Sequence, residues 1–299
     1  MRIDLMAGAS ISAAALRSAA EPTILVFDSG LGGLTVLDAV RRARPDARYV
    51  YVGDDAAFPY GRLTEAAVVA RVLAVMERLV ATHRPDLVVI ACNTASTVVL
   101  PALRQRFTTP FVGVVPPIKP AAAATRSRLV SLLATPGTVA RSYTRDLIAT
   151  YAGASTVTLI GARNLAGYAE AELAGAPVDD AALAAEIAPC FVTAGDGRRT
   201  DVVCLACTHY PLLLPRLEAL APWPVTWIDP APAIARRVMQ LLGSAPREAE
   251  RHGAAQGDTH AAAHGAFTAG TCLTEPLRVA LAAHGIGEVA VEAIPLRLQ

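Results

Sequence analysis

The 299-residue chain is long enough for two domains of ordinary size and can bury a substantial core. Its formal net charge of +1 carries no clustered run of one sign, which argues against a nucleic-acid partner; its 53% hydrophobic content includes no window near the ~18–20 apolar residues of a membrane span. Five cysteines, Cys92, Cys190, Cys204, Cys207 and Cys272, are too sparse and odd in number for a disulfide framework, so a cytoplasmic protein with a small-molecule substrate is expected.

Met1 to Ala20 is rich in Ala and Ser, but Asp4 interrupts its start and Arg17 falls where an export signal would be cleaved. Residues 1–21 therefore read as a loosely ordered extension. Ile24 to Asp28 is the first strand, and Ser29-Gly30-Leu31-Gly32-Gly33 turns it into a helix reaching about Arg42. Tyr49 to Gly53 is a second strand. Thr64 caps a helix whose apolar positions, Val68, Val72, Met76 and Leu79 among them, repeat at helical spacing until Pro85 prevents continuation. Leu87 to Ala91 follows as a strand, so the alternation predicts a parallel sheet covered by helices.

Val115 to Pro120 is Pro-rich and marks a crossing, after which the pattern restarts. Leu129 to Ala134 and Thr156 to Ile160 read as strands, Thr138 to Tyr151 as one helix, and Leu165 to Leu173 and Asp180 to Cys190 as two more. A strand ending at Cys207, another at Val225 to Ile228, a helix over Ala231 to Leu242, and a helix and strand within Glu275 to Ile294 complete the set. Ser244 to His264 is polar and reads as a surface insertion. The expected fold is α/β, with two pseudo-symmetric lobes: 22–115 plus 225–299, and 116–224.

The symmetry rests on an internal echo. Asp86-Leu87-Val88-Val89-Ile90-Ala91-Cys92-Asn93-Thr94 returns in outline as Asp201-Val202-Val203-Cys204-Leu205-Ala206-Cys207-Thr208-His209. In both, an apolar run suited to a buried parallel strand ends at Ala-Cys, and the carboxyl ends of such strands are where open α/β sheets bind ligands. A cysteine at a strand-to-helix junction faces unpaired amides that favour its thiolate, giving a base, a nucleophile or a ligand. Cys190 and Cys272 lack that context and read as core thiols. Cys204 and Cys207 form a C-x-x-C, but strand geometry points them to opposite faces and no second such pair supplies a zinc set. Pyridoxal chemistry would have to run through the single lysine, Lys119, within the Pro-rich crossing. No metal and no cofactor are expected.

Asp28-Ser29-Gly30-Leu31-Gly32-Gly33, Pro59-Tyr60-Gly61, Cys92-Asn93-Thr94-Ala95-Ser96 and Cys207-Thr208-His209-Tyr210-Pro211, in that order and spacing, resemble the signature of glutamate racemases in the aspartate/glutamate racemase superfamily. The resemblance runs from about Thr23 to Leu242. It implies a cofactor-free enzyme that inverts the α-carbon of glutamate and supplies D-glutamate for peptidoglycan, with Cys92 and Cys207 as acid/bases on opposite faces. It further implies that Asp28 and His209 assist the two thiols, with Glu170 near the second. Ser29, Tyr60, Gly61, Asn93, Thr94 and Thr208 would bind substrate, together with Thr135 and Thr138; Asp28 and His209 line the same site. Ala162-Arg163-Asn164 departs from common versions of the pattern and weakens the match at Glu170. An aspartate racemase or a non-catalytic amino-acid-binding protein of the same fold stays open, as do a homodimer and activation by a cell-wall precursor.

Overall fold

The computed structural model describes residues 21–243, 262–269 and 273–294. Two parallel sheets carry the chain. The first strand, β1 (Thr23–Asp28), is buried along its whole length, as its apolar run Ile24 to Phe27 requires when helices cover both its faces. It pairs with β2 (Arg48–Gly53) on one side and β3 (Leu87–Ile90) on the other, and β4 (Phe111–Gly113) follows β3. Helices α1 (Leu34–Ala43), α2 (Glu65–His83) and α3 (Asn93–Arg106) make the crossovers. The Thr64 hydroxyl caps α2 by accepting from the Ala67 amide, as its position before the apolar repeat predicts.

The second sheet repeats that plan. After α4 (Ile118–Ala124), β5 (Leu129–Ala134) pairs with β6 (Thr156–Gly161) and with β7 (Val202–Ala206), and β8 (Thr226–Ile228) pairs with β7. The order β6-β5-β7-β8 matches β2-β1-β3-β4 strand for strand. The two Asp residues that open the echo do equivalent work: Asp86 accepts from the Thr23 amide, and Asp201 accepts from the Ser127 and Arg126 amides and the Thr125 hydroxyl. Each carboxylate thus ties the start of its strand to a neighbouring segment.

Four expectations are corrected. The helix expected over Thr138 to Tyr151 is two, α5 (Pro136–Ala140) and α6 (Ser142–Tyr151), because Arg141 is extended at φ −70 and ψ 140. The sequence pattern places 225–299 in the first lobe, but β8 hydrogen-bonds to β7 and belongs to the second sheet. Val115 to Pro120 is more than a connector, since α4 begins within it at Ile118. Ala263 and His264 are not surface insertion but the start of β9 (Ala263–Phe267), which joins β2. Residues 244–261 of that insertion, residues 1–20 of the extension and Cys272 lie outside the described residues.

Helices α7 (Leu165–Leu173) and α8 (Asp180–Ile187) cover the second sheet, with α9 (Leu214–Leu220) after β7. Helix α10 (Ala231–Leu242) returns to the first sheet and packs on α1; α11 (Glu275–Ala283) then leads to β10 (Ile286–Val291) at the edge beside β9. Cys190 and Cys204 are fully buried in the core, as a small apolar thiol permits. No described helix is long and apolar enough to cross a membrane.

Candidate active site

The carboxyl ends of β1, β3, β5 and β7 converge, and each delivers the residues that follow it. From β1 come Asp28 and Ser29; from β3, Cys92, Asn93 and Thr94; from β5, Thr135 and Thr138; from β7, Cys207, Thr208 and His209. Cys92 sits at the amino terminus of α3, a helix of 14 residues. Ser29, Tyr60, Gly61, Cys92, Asn93, Thr94, Thr135, Cys207, Thr208 and His209 line one small cavity of about 20 Å3, with room for one or two waters.

The two sheets approach each other closely here, and glycine permits it. A Cβ on Gly30 would run into the Glu170 carboxylate, and one on Gly32 into the His209 ring and the Thr208 hydroxyl. Hydrogen bonds then cross the seam. The Thr208 hydroxyl donates to Asp28 Oδ2 (2.9 Å), and the Leu31 amide donates to Glu170 Oε1 (2.6 Å). Thr94 Oγ1 lies 3.0 Å from Thr135 Oγ1 and 3.2 Å from Thr138 Oγ1.

The surroundings of the two thiols differ. Burial, together with the Asp28 carboxylate, pushes Cys92 up to about 12 against the Ala95 amide and Ser29, whose Oγ is 3.6 Å from Sγ. Cys92 is therefore a thiol at neutral pH. Cys207 Sγ is 3.8 Å from His209 Nδ1, and His209 Nε2 is 2.8 Å from Glu170 Oε1. Burial alone would strip the proton from this imidazole, but Cys207 and Glu170 outweigh it and hold His209 well above its ordinary range. With the ring protonated, Nε2 donates to Glu170, and the Gly32 amide 3.2 Å away is a neighbour rather than a donor to it. A cation thus stands beside the Cys207 sulfur. Burial raises Asp28 above the usual carboxylate range, against the pull of His209 and of the Gly30 and Thr208 hydrogen bonds.

Asn93 is 2% exposed, and among the described residues neither its Oδ1 nor its Nδ2 has a hydrogen-bond partner. Both ends of a buried amide left unpaired at a cavity wall are expensive unless a ligand satisfies them. One expectation changes in kind: the Tyr60 hydroxyl donates to Asp54 Oδ2 (2.5 Å), so Tyr60 borders the cavity with its polar atom committed elsewhere. Sequence reasoning missed Phe58 and Ala166 as lining residues. Phe58 packs on the His209 ring with centroids 5.4 Å apart, and nothing in a Phe-Pro turn signals that contact. The described residues gather no group of three His, Cys, Asp or Glu side chains that could hold a metal ion.

Residues 34–238 match the family model described as Asp/Glu/Hydantoin racemase, which is more than half of the chain. The chain belongs to the Asp/Glu/hydantoin racemase family. Within that family it is similar to the glutamate racemase of Brucella canis, 55% identical over 235 residues, covering 78% of this chain and 84% of that protein. The Brucella anthropi glutamate racemase is 55% identical over 245 residues, with 81% and 88% covered. Among solved structures of the racemase family, Escherichia coli glutamate racemase in complex with L-glutamate and the activator UDP-MurNAc-ala superposes with a TM-score of 0.81 at 41% identity. That match covers 92% of this chain and 100% of that one.

Proposed function

We propose that this chain racemises glutamate without a cofactor, passing the α-proton between Cys92 and Cys207. The observation that carries the reading is that both thiols line one small cavity, delivered by equivalent strands of two matching sheets. An amino-acid α-carbon yields a poor carbanion, and one base alone would return the proton to the face it came from. Inversion needs a base on one face and a donor on the other. The unequal environments suit that division. Cys207, beside the His209 cation, takes the proton, while Cys92, held as a thiol, gives one; the roles exchange with the handedness of the substrate.

The substrate carboxylate is held in this reading by the Thr94, Thr135 and Thr138 hydroxyls and the Asn93 amide, with the amino terminus of α3 supporting charge that develops on it. Asp28 and Ser29 position groups around Cys92, and Glu170 orients His209 toward Cys207. Glutamate as substrate rests on the relatives' activity and on the L-glutamate bound by the Escherichia coli protein; its activator makes a cell-wall precursor the effector to add to the assay. The product would serve peptidoglycan synthesis in the cytoplasm. Circular dichroism of purified chain with L-glutamate and L-aspartate separately, no cofactor added, tests the proposal. Loss of optical activity with glutamate alone is expected; inversion of aspartate instead would make the chain an aspartate racemase, and inversion of neither would leave a binding protein.

A further inference from the structure

The 20 Å3 cavity between the thiols is too small for an amino acid, so the protein has to open to admit substrate. A second cavity, of about 820 Å3, lies directly outside and shares Phe58, Pro59, Gly61, Thr135 and Ala166 with the first. Both sheets contribute to it, through the loop after β2 and the segments after β5 and β6. Its formally charged lining residues are Arg62 and Arg163. Both are exposed, and neither guanidinium is paired with a described residue. Among the described residues no carboxylate lines this cavity; the acid bonded to a lining residue is Glu186, which accepts from the Asn164 side-chain amide.

Two unpaired cations in a concave, largely apolar vestibule raise the local concentration of an anion, because low-dielectric walls focus the field toward the opening. The amino acid in question carries two carboxylates and one ammonium, a net negative ligand. We propose that this cavity is an antechamber that collects the acidic amino acid ahead of the catalytic cavity, with Arg62 and Arg163 supplying the attraction. The inference rests on the racemase reading above and adds a residue pair that sets how well a dicarboxylate competes with neutral amino acids.

The test uses the full chain and the variants Arg62→Gln, Arg163→Gln and their double, assayed for racemisation of L-glutamate across a sodium chloride series. The double variant is expected to lose roughly tenfold in kcat/KM at low salt through KM, with kcat unchanged. Salt should lower the unsubstituted chain toward the variant and leave the double variant nearly flat, since these charges are exposed and screened. Arg163→Glu should weaken kcat/KM further than Arg163→Gln. An unchanged kcat/KM at low salt, parallel salt profiles, or a loss in kcat alone would overturn the antechamber while leaving the racemase reading intact. Absence of racemisation by the unsubstituted chain would sink that reading, and the antechamber with it.

Discussion

Asn93 carries the clearest separation of stability from function. A polar side chain that bonds to nothing in the empty protein loses nothing when removed, so Asn93→Ala should change unfolding free energy by less than about 1 kcal/mol. If its amide grips substrate, KM for glutamate should rise about tenfold or more. Urea unfolding and steady-state kinetics on one preparation check both halves. His209 makes a prediction about pH. Its folded-state value lies above its unfolded one, so the stability it contributes is complete below the unfolded value near ~6.5 and is lost as pH rises through the folded value. Thermal unfolding between roughly pH 7 and pH 10 should therefore fall more steeply for the unsubstituted chain than for His209→Gln. Equal slopes would remove the charged imidazole from the account. At this scale the sequence was legible where the echo repeats, at Cys92 and Cys207. It was silent at Phe58, whose contact with His209 depends on a fold that brings residues far apart in the chain together.

Among the elements, the loop that carries Tyr60 and Gly61 is anchored from behind. Asp54, fully buried after β2, accepts from Arg71 Nε on α2 (2.9 Å), from the Tyr60 hydroxyl and from the Thr268 hydroxyl after β9 (2.6 Å); Arg71 also donates to the Ile294 carbonyl (2.9 Å). The nearby loop, α2 and the distant segment after β9 meet on one carboxylate. Arg71→Ala would leave Asp54 an uncompensated buried charge and should cost about 3–5 kcal/mol, measured by urea unfolding. Tyr60→Phe removes one donor and should cost about 1–3 kcal/mol on the same measurement. None of this was visible beforehand. Nothing in Phe58 to Gly61 signals a buried anchor, and β9, Ala263-His264-Gly265-Ala266-Phe267, lacks the branched residues that mark strands. The three residues of β4 were too few to carry a pattern. By contrast β1, β3, β5 and β7 are dominated by apolar residues, with Ser131 the one polar residue inside β5, and their positions were readable because burial on both faces demands that composition.

In the whole molecule, two sheets with the same strand order place like strand ends against each other, and several hydrogen bonds cross the resulting seam. Thr208 to Asp28, Leu31 to Glu170, and Thr94 to Thr135 and Thr138 all cross it. These hydrogen-bonded groups can each bond to water instead when the lobes part, which lowers the cost of breaking their contacts for substrate entry. The duplicated plan was legible from the echo, whereas the position of β8 was not: a short strand between a proline-containing loop and α10 reads the same whichever sheet it joins. The account stands on two thiols serving opposite faces of one carbon. Exchange of the α-proton in D2O, followed by NMR for Cys92→Ser and Cys207→Ser with each glutamate enantiomer, measures this directly. Neither variant should racemise, and each should exchange the proton of a single enantiomer, a different one in each case. Near-normal racemisation in both variants, or exchange of both enantiomers by either, would contradict it.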